Sequence, residues 1–268
     1  RTLPEHDPYI LPVAALLSGW GLLTVWRLNE SYGLRQTLWL VLSLVVCRII
    51  LQRQDILSLL KRYKYIWLVS GLILTSLTFI FGTYPGGEGP HLWLGWQGIY
   101  LQPSEPLKLL LIIYLAAYLA GQIPTSFNLL RSIVPSILLV GISLAILVAQ
   151  RDLGTASIFI LIYFIILYLA TGKRRVLLIS FAVMLLAAVM GYQLFSVIRF
   201  RIDSWINPWL DPSGKSYQII QSLLAVSAGG MIGRGIGLGS PSLVPVAQSD
   251  YIFAAIAEET GLIGVVVL

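Results

Sequence analysis

Ionisable side chains are scarce in this sequence, with 18 Lys and Arg, 12 Asp and Glu, and 2 His among 268 residues. Those that border apolar runs are therefore candidates for function, each with a partner expected nearby. Glu105 and Lys108 stand three apart at the start of one such run. That spacing puts them on one helical face, where they can pair. It also suits a plain helix start, with Ser104 as cap and Pro106 in the first turn. Gln150-Arg-Asp152-Leu-Gly-Thr155 joins two apolar runs with almost no loop, holding Arg151 and Asp152 near the membrane surface. An aspartate that simply caps the next helix has the same spacing. Asp250 lies at the mouth of the last apolar run, with Glu258 and Glu259 about two turns on. A carboxylate so close to hydrocarbon has its charged form disfavoured by desolvation and could serve as a base. As a helix cap it would need no such role, and spacing does not decide between the two.

Other chemistries find no support. His6 and His91 fall on opposite sides of the membrane in the topology below, so no Cys/His metal cluster forms and no Ser-His-Asp set survives. The glycine-rich stretch 227–239 lacks the Gly-Lys-Ser/Thr ending of a phosphate loop. Its glycines fit a hinge, re-entrant packing or close approach to a ligand equally well. The lone Cys47 cannot form an internal disulfide and reads as a small buried hydrophobe. Nothing points to a nucleic-acid partner.

The elements that must position these residues follow from composition. At 57% hydrophobic and 11% charged, with a mean hydropathy of +0.84, the chain does not fit a soluble class, in which about 25% of residues are charged. Roughly 153 apolar residues supply seven or eight membrane-crossing helices of about 20 residues and leave no room for a separate soluble domain. Apolar segments fall near 9–26, 36–51, 65–84, 107–123, 133–149, 153–171 and 176–195, with a partial eighth from 251. A bilayer leaves no free backbone partners, so these should be helices, and strict alternation of the β-barrel kind is missing. The expected fold class is an all-α, polytopic membrane helix bundle, one module over 1–268.

Basic residues orient it. Arg53, Lys61, Arg62 and Lys64 lie between the second and third spans, Arg131 between the fourth and fifth, and Lys173, Arg174 and Arg175 between the sixth and seventh. Keeping all of them cytoplasmic puts the N-terminus inside. Segments 85–106, 150–152 and 196–250 then lie outside, and the last is a large outer loop far beyond ordinary connection length. Most of the acidic residues, including Glu30, Glu88, Glu105, Asp152, Asp203, Asp211 and Asp250, map to that side. The chain starts at Arg1 and stops inside an apolar run at Leu268, so it reads as a fragment. No removable signal peptide is seen.

Taken in order, Trp93, Gln102-Pro-Ser-Glu105 with Lys108, Gln150-x-Asp152-Leu-Gly-Thr155, Asn207-Pro-Trp-Leu-Asp-Pro212, Tyr217-Gln218 with Gln221-Ser222, Ser227-Ala-Gly-Gly230 with Gly233-x-Gly235, and Ser249-Asp-Tyr-Ile-Phe253 with Glu258-Glu-x-Gly261 resemble the SEDS family, the shape, elongation, division and sporulation proteins typified by RodA and FtsW. Several motifs in one order make the match specific. The resemblance implies a peptidoglycan glycosyltransferase of about ten spans in the bacterial cytoplasmic membrane, polymerising lipid II on the outer face. It implies Asp250 as the catalytic base, and Trp93, Glu105, Lys108, Asp152 and Arg201 as substrate-binding positions. It also implies a class B penicillin-binding protein as partner. No cofactor is evident, and a divalent cation, magnesium or manganese, would assist without any residue pattern that specifies its site. The chain departs from the family pattern at Leu92, Val246 and Gln248, where arginine, glutamate and histidine are usual. A lipid flippase and a non-catalytic scaffold for a transpeptidase are the competing readings of the same charged cavity.

Overall fold

A computed structural model describes residues 7–53, 55–84, 89–96, 99–122, 129–214 and 216–267. The expectations placed on His6 and Glu88 lie outside the described residues, as does the Arg131 side chain. Helices dominate, as the absence of backbone partners in a bilayer demands. Every apolar segment found in the sequence is helical. Among the described residues, five helices are long and apolar enough to cross a membrane: Ile10–Leu28, Glu30–Gln52, Lys64–Phe81, Leu153–Thr171 and Arg174–Leu194, with Ile133–Ala149 a shorter apolar helix. The residues group into two compact units, 1–52 with 192–268, and 53–191.

In the first unit α1 (Ile10–Leu28) packs on α2 (Glu30–Gln52). The sequence suggests a connection over 27–35, but the two helices are separated by Asn29 alone. Its extended backbone (φ −158°, ψ 112°) breaks the first helix, and its side-chain oxygen accepts from the Tyr32 N–H at 3.2 Å to start the second. Gly33 lets α2 close on Trp26, whose indole N–H donates to Thr37 Oγ1 at 2.9 Å. Cys47, expected to be buried, is exposed, because the apolar outer surface of α2 is of the kind that lipid rather than protein covers.

The region 196–250 is more structured than a loop. It holds helix α10 (Ser196–Ile206), a 3-10 turn at Pro208–Leu210, helix α11 (Tyr217–Gly229) and a second 3-10 turn at Pro241–Leu243. The last helix, α12 (Ile252–Val267), packs on α11. It is interrupted at Gly261, whose φ of 65° and ψ of −169° lie outside helical space.

The second unit contains α3 (Asp55–Arg62), α4 (Lys64–Ser76) continued after Leu77 by α5 (Thr78–Phe81), α6 (Ser104–Gln122), α7 (Leu129–Ala149), α8 (Leu153–Thr171) and most of α9 (Arg174–Leu194). Its core joins α4, α6, α7 and α8 through Leu68, Leu107, Leu111, Tyr114, Leu147 and Phe159, all fully buried. A two-stranded antiparallel hairpin, β1 (Leu94–Trp96) with β2 (Ile99–Leu101), precedes α6. Three-residue strands are too short for alternation to reveal them in sequence.

Candidate functional site

The second unit gathers a polar cluster at one end of its bundle. Lys64 at the start of α4 donates to the Ala117 carbonyl near the end of α6 at 3.2 Å. At the opposite ends of the same helices, Gln150 donates to Thr75 O and Thr78 Oγ1, both at 2.7 Å. The same end holds Asp152, a buried residue at 9% exposure. Its Oδ1 accepts from the Thr155 N–H at 3.2 Å, capping α8. Its Oδ2 accepts from Gln102 Nε2 and Ser104 Oγ, each at 3.3 Å. Arg151 takes a φ of 62° to complete the turn. The capping geometry thus exists, and Ser104, rather than capping α6, starts it and donates to Asp152. Glu105 and Lys108 pair at 2.8 Å, with Glu105 exposed and Lys108 largely sheltered. Trp93 is half-buried and bridges Thr83 by backbone bonds of 2.7 and 3.3 Å. The structure therefore joins Gln102, Ser104 and Asp152 in one network, holds Gln150 in separate bonds to Thr75 and Thr78, and carries Glu105 and Lys108 beside Ser104 at the start of α6.

The first unit carries the other two sequence-predicted residues. Asp250 is exposed, in a turn where its N–H and that of Ser249 both donate to Val246 O, at 3.2 and 3.1 Å. Val246 itself takes a φ of 56°, a left-handed conformation that a β-branched residue rarely adopts. Among the described residues no hydrogen bond or ion pair engages the Asp250 carboxylate. Arg201 is exposed on α10. Elsewhere on α10, Arg199 donates to the carbonyls of Tyr192 and Gln193, and Tyr192 OH donates to Asp203 at 3.1 Å.

Glu258 and Glu259, flagged in the sequence as needing partners, have them. Glu259 pairs with Arg27 at the end of α1, and Glu258 with Arg234 at 3.2 Å. Both carboxylates are at most 5% exposed. Ser240 N–H also donates to Glu258 Oε1 at 3.0 Å. Among the described residues no group of three or more His, Cys, Asp or Glu side chains comes together in a way that could hold a metal ion.

Helices this long and apolar define a multi-pass membrane protein. The chain belongs to the FtsW/RodA/SpoVE family of cell cycle proteins, whose family model matches residues 13–268. It is 30% identical over 286 residues to the peptidoglycan glycosyltransferase RodA of Mycobacterium tuberculosis, covering 98% of this chain and 61% of that protein. It is 34% identical over 211 residues to the probable peptidoglycan glycosyltransferase FtsW of Borreliella burgdorferi, covering 78% and 57%. The chain thus spans about 60% of the length of these curated relatives. In fold it resembles a chain from a peptidoglycan synthase complex that coordinates polymerization and crosslinking, with a TM-score of 0.76, 22% identity, and coverage of 98% of this chain and 74% of that one. An alanine variant of the rod shape determining protein RodA of Thermus thermophilus gives a TM-score of 0.64 at 20% identity, covering 98% and 70%. Family and helices together make this a multi-pass bacterial membrane protein.

Proposed function

We propose that the protein containing this chain is a peptidoglycan glycosyltransferase that polymerises lipid II on the outer face of the cytoplasmic membrane during cell elongation or division. The observation that carries the reading is an open carboxylate, Asp250, at the mouth of α12. Asp250 accepts the proton of the acceptor sugar 4-hydroxyl as that oxygen bonds to the anomeric carbon of the donor. The bond from that carbon to the pyrophosphate oxygen breaks, and undecaprenyl pyrophosphate leaves with the electron pair. A departing pyrophosphate needs positive charge. Arg201, in the same unit as Asp250, supplies it, and Trp93, Glu105, Lys108 and Asp152, carried by the other unit, are substrate-binding positions. A magnesium or manganese ion would add positive charge at the same leaving group. The orientation with the N-terminus inside, seven spans and a partial eighth belongs to the same proposal, as does a class B penicillin-binding protein as partner.

The test is polymerisation of purified lipid II by the full-length protein, alone and with its transpeptidase. Asp250→Asn keeps the shape and removes the base. Turnover should fall by at least about 10²-fold, the usual contribution of general base catalysis, at unchanged membrane levels. Retained glycan synthesis removes Asp250 from this role. Translocation of lipid II across vesicles without polymerisation selects the flippase instead.

A further inference from the structure

We infer that Glu258 and Arg234 act as a positioning pair that fixes where Asp250 stands, an inference that rests on the reading of Asp250 as the base. Asp250 is attached to α12 two residues before that helix begins, and the Tyr251 carbonyl between them accepts from Ala254 and Ala255 N–H at 3.0 and 3.3 Å. Wherever the first half of α12 sits, Asp250 must follow.

That half is not held as an ordinary helix is held. Residues 229–235 run against it backbone to backbone. Arg234 and Gly235 N–H donate to the Glu258 and Glu259 carbonyls, both at 3.0 Å, and beyond the interruption Leu262 and Ile263 N–H donate to Gly230 and Met231 carbonyls at 2.9 and 3.2 Å. Gly261 allows this because its φ of 65° frees those groups for partners outside the helix. A Cβ there would lie 2.7 Å from both Ile232 C and Met231 O. The Glu258 side chain locks the arrangement. Its Oε1 takes Arg234 Nη1 and the Ser240 N–H, while Gly239 passes directly over the carboxyl, where a Cβ would stand 3.1 Å from Cδ. Its Oε2 is buried with no hydrogen-bond partner among the described residues, so Arg234 is the cation that offsets this charge. The segment leading to Asp250 is then fastened at two points. Glu258 holds its start at Ser240, and Val244 and Ala247 bury against Ala225, Ala254 and Tyr251. Without Glu258 the first fastening is lost, and the loop that ends in Asp250 is free to shift on α12.

Misplacement of a reacting group by about 1 Å costs on the order of 10²-fold in rate. In the full-length protein, Glu258→Gln and Arg234→Gln should therefore each lower kcat for lipid II polymerisation by about 10- to 100-fold while KM stays within about twofold. Arg234→Lys should retain activity. The double variant Arg234→Gln with Glu258→Gln, which replaces the ion pair by a neutral amide pair, should recover at least part of the loss seen in Glu258→Gln alone. Wild-type kcat in Glu258→Gln, or a KM increase with kcat intact, overturns the inference. If Glu258→Gln fails to accumulate in the membrane, the double variant decides: folded protein with kcat still as low as Asp250→Asn also overturns it. Asp250→Asn in the same assay separates the two claims, since its retained activity sinks the base reading, whereas its inactivity beside a fully active Glu258→Gln sinks only the positioning pair.

Discussion

Asp152 shows how one residue can satisfy a structural and a chemical account at once. Its carboxylate accepts from the α8 backbone through Oδ1 and from Gln102 and Ser104 through Oδ2. Removing it strips a helix cap worth about 1 kcal/mol and leaves a buried serine hydroxyl without its acceptor, at a further cost of about 1 kcal/mol or more. Asp152→Ala should lower stability by roughly 2 kcal/mol, read as an earlier thermal unfolding midpoint of the purified protein in detergent. Asp152→Asn keeps a competent cap and should lose well under half as much. The two roles then separate cleanly. If the Asn variant keeps its midpoint but loses lipid II turnover, Asp152 contacts substrate; if both are kept, the residue is an anchor for the turn between α7 and α8 and nothing more. The Glu105 and Lys108 pair was legible from its i,i+3 spacing, and the capping geometry at Asp152 from its place between two helices. Gln102 and Ser104 as partners of Asp152 were not, because the contact joins residues about 50 apart in sequence.

At the scale of elements, the apolar helices were readable because length and hydropathy are local properties, and hydrocarbon leaves helix as the only open solution. What escaped is what depends on distant partners. Helix α11 sits in a region whose prolines and glycines suggest irregular structure, and the interruption of α12 is invisible in a run that reads straight through Gly261. The run of glycines over 229–235 left hinge, packing and ligand contact open, and the structure uses Gly229 and Gly233 for packing against α12. This yields a contrast between two glycines. At Gly261 a side chain meets the backbone of 231–233 and a positive φ together. Gly261→Ala should destabilise by more than about 2 kcal/mol, combining strain with overpacking, and should appear as faster proteolysis within 229–250. Gly141 lies inside α7 with nothing within 4 Å of an added Cβ. Gly141→Ala should leave stability unchanged or raise it by up to about 1 kcal/mol, since alanine is the better helix former. Equal effects at the two positions would mean that the break at Gly261 is not a fixed part of the fold.

For the whole molecule the deciding quantity is sidedness, because Asp250 can meet a lipid-linked sugar only on the face where that sugar is displayed. The proposed orientation rests on the basic connections at 53–64 and 173–175, since Lys and Arg near span ends resist translocation. A single helix, α9, separates Lys173 from the region of α10 and α11, so those two segments must lie on opposite faces if α9 spans the membrane. Cysteine labelling makes this directly measurable. In a cysteine-free background of the full-length protein, Cys47→Ala included, a cysteine at exposed Ser213 should react with an impermeant maleimide on intact cells, while cysteines at exposed Ser58 and Lys173 should react only after the membrane is opened. Labelling at 213 from inside would place Asp250 on the cytoplasmic face. A sugar polymerase acting outside would then be impossible at that residue, whatever its pKa or partners, and the assignment of Arg201 to the leaving pyrophosphate would fall with it.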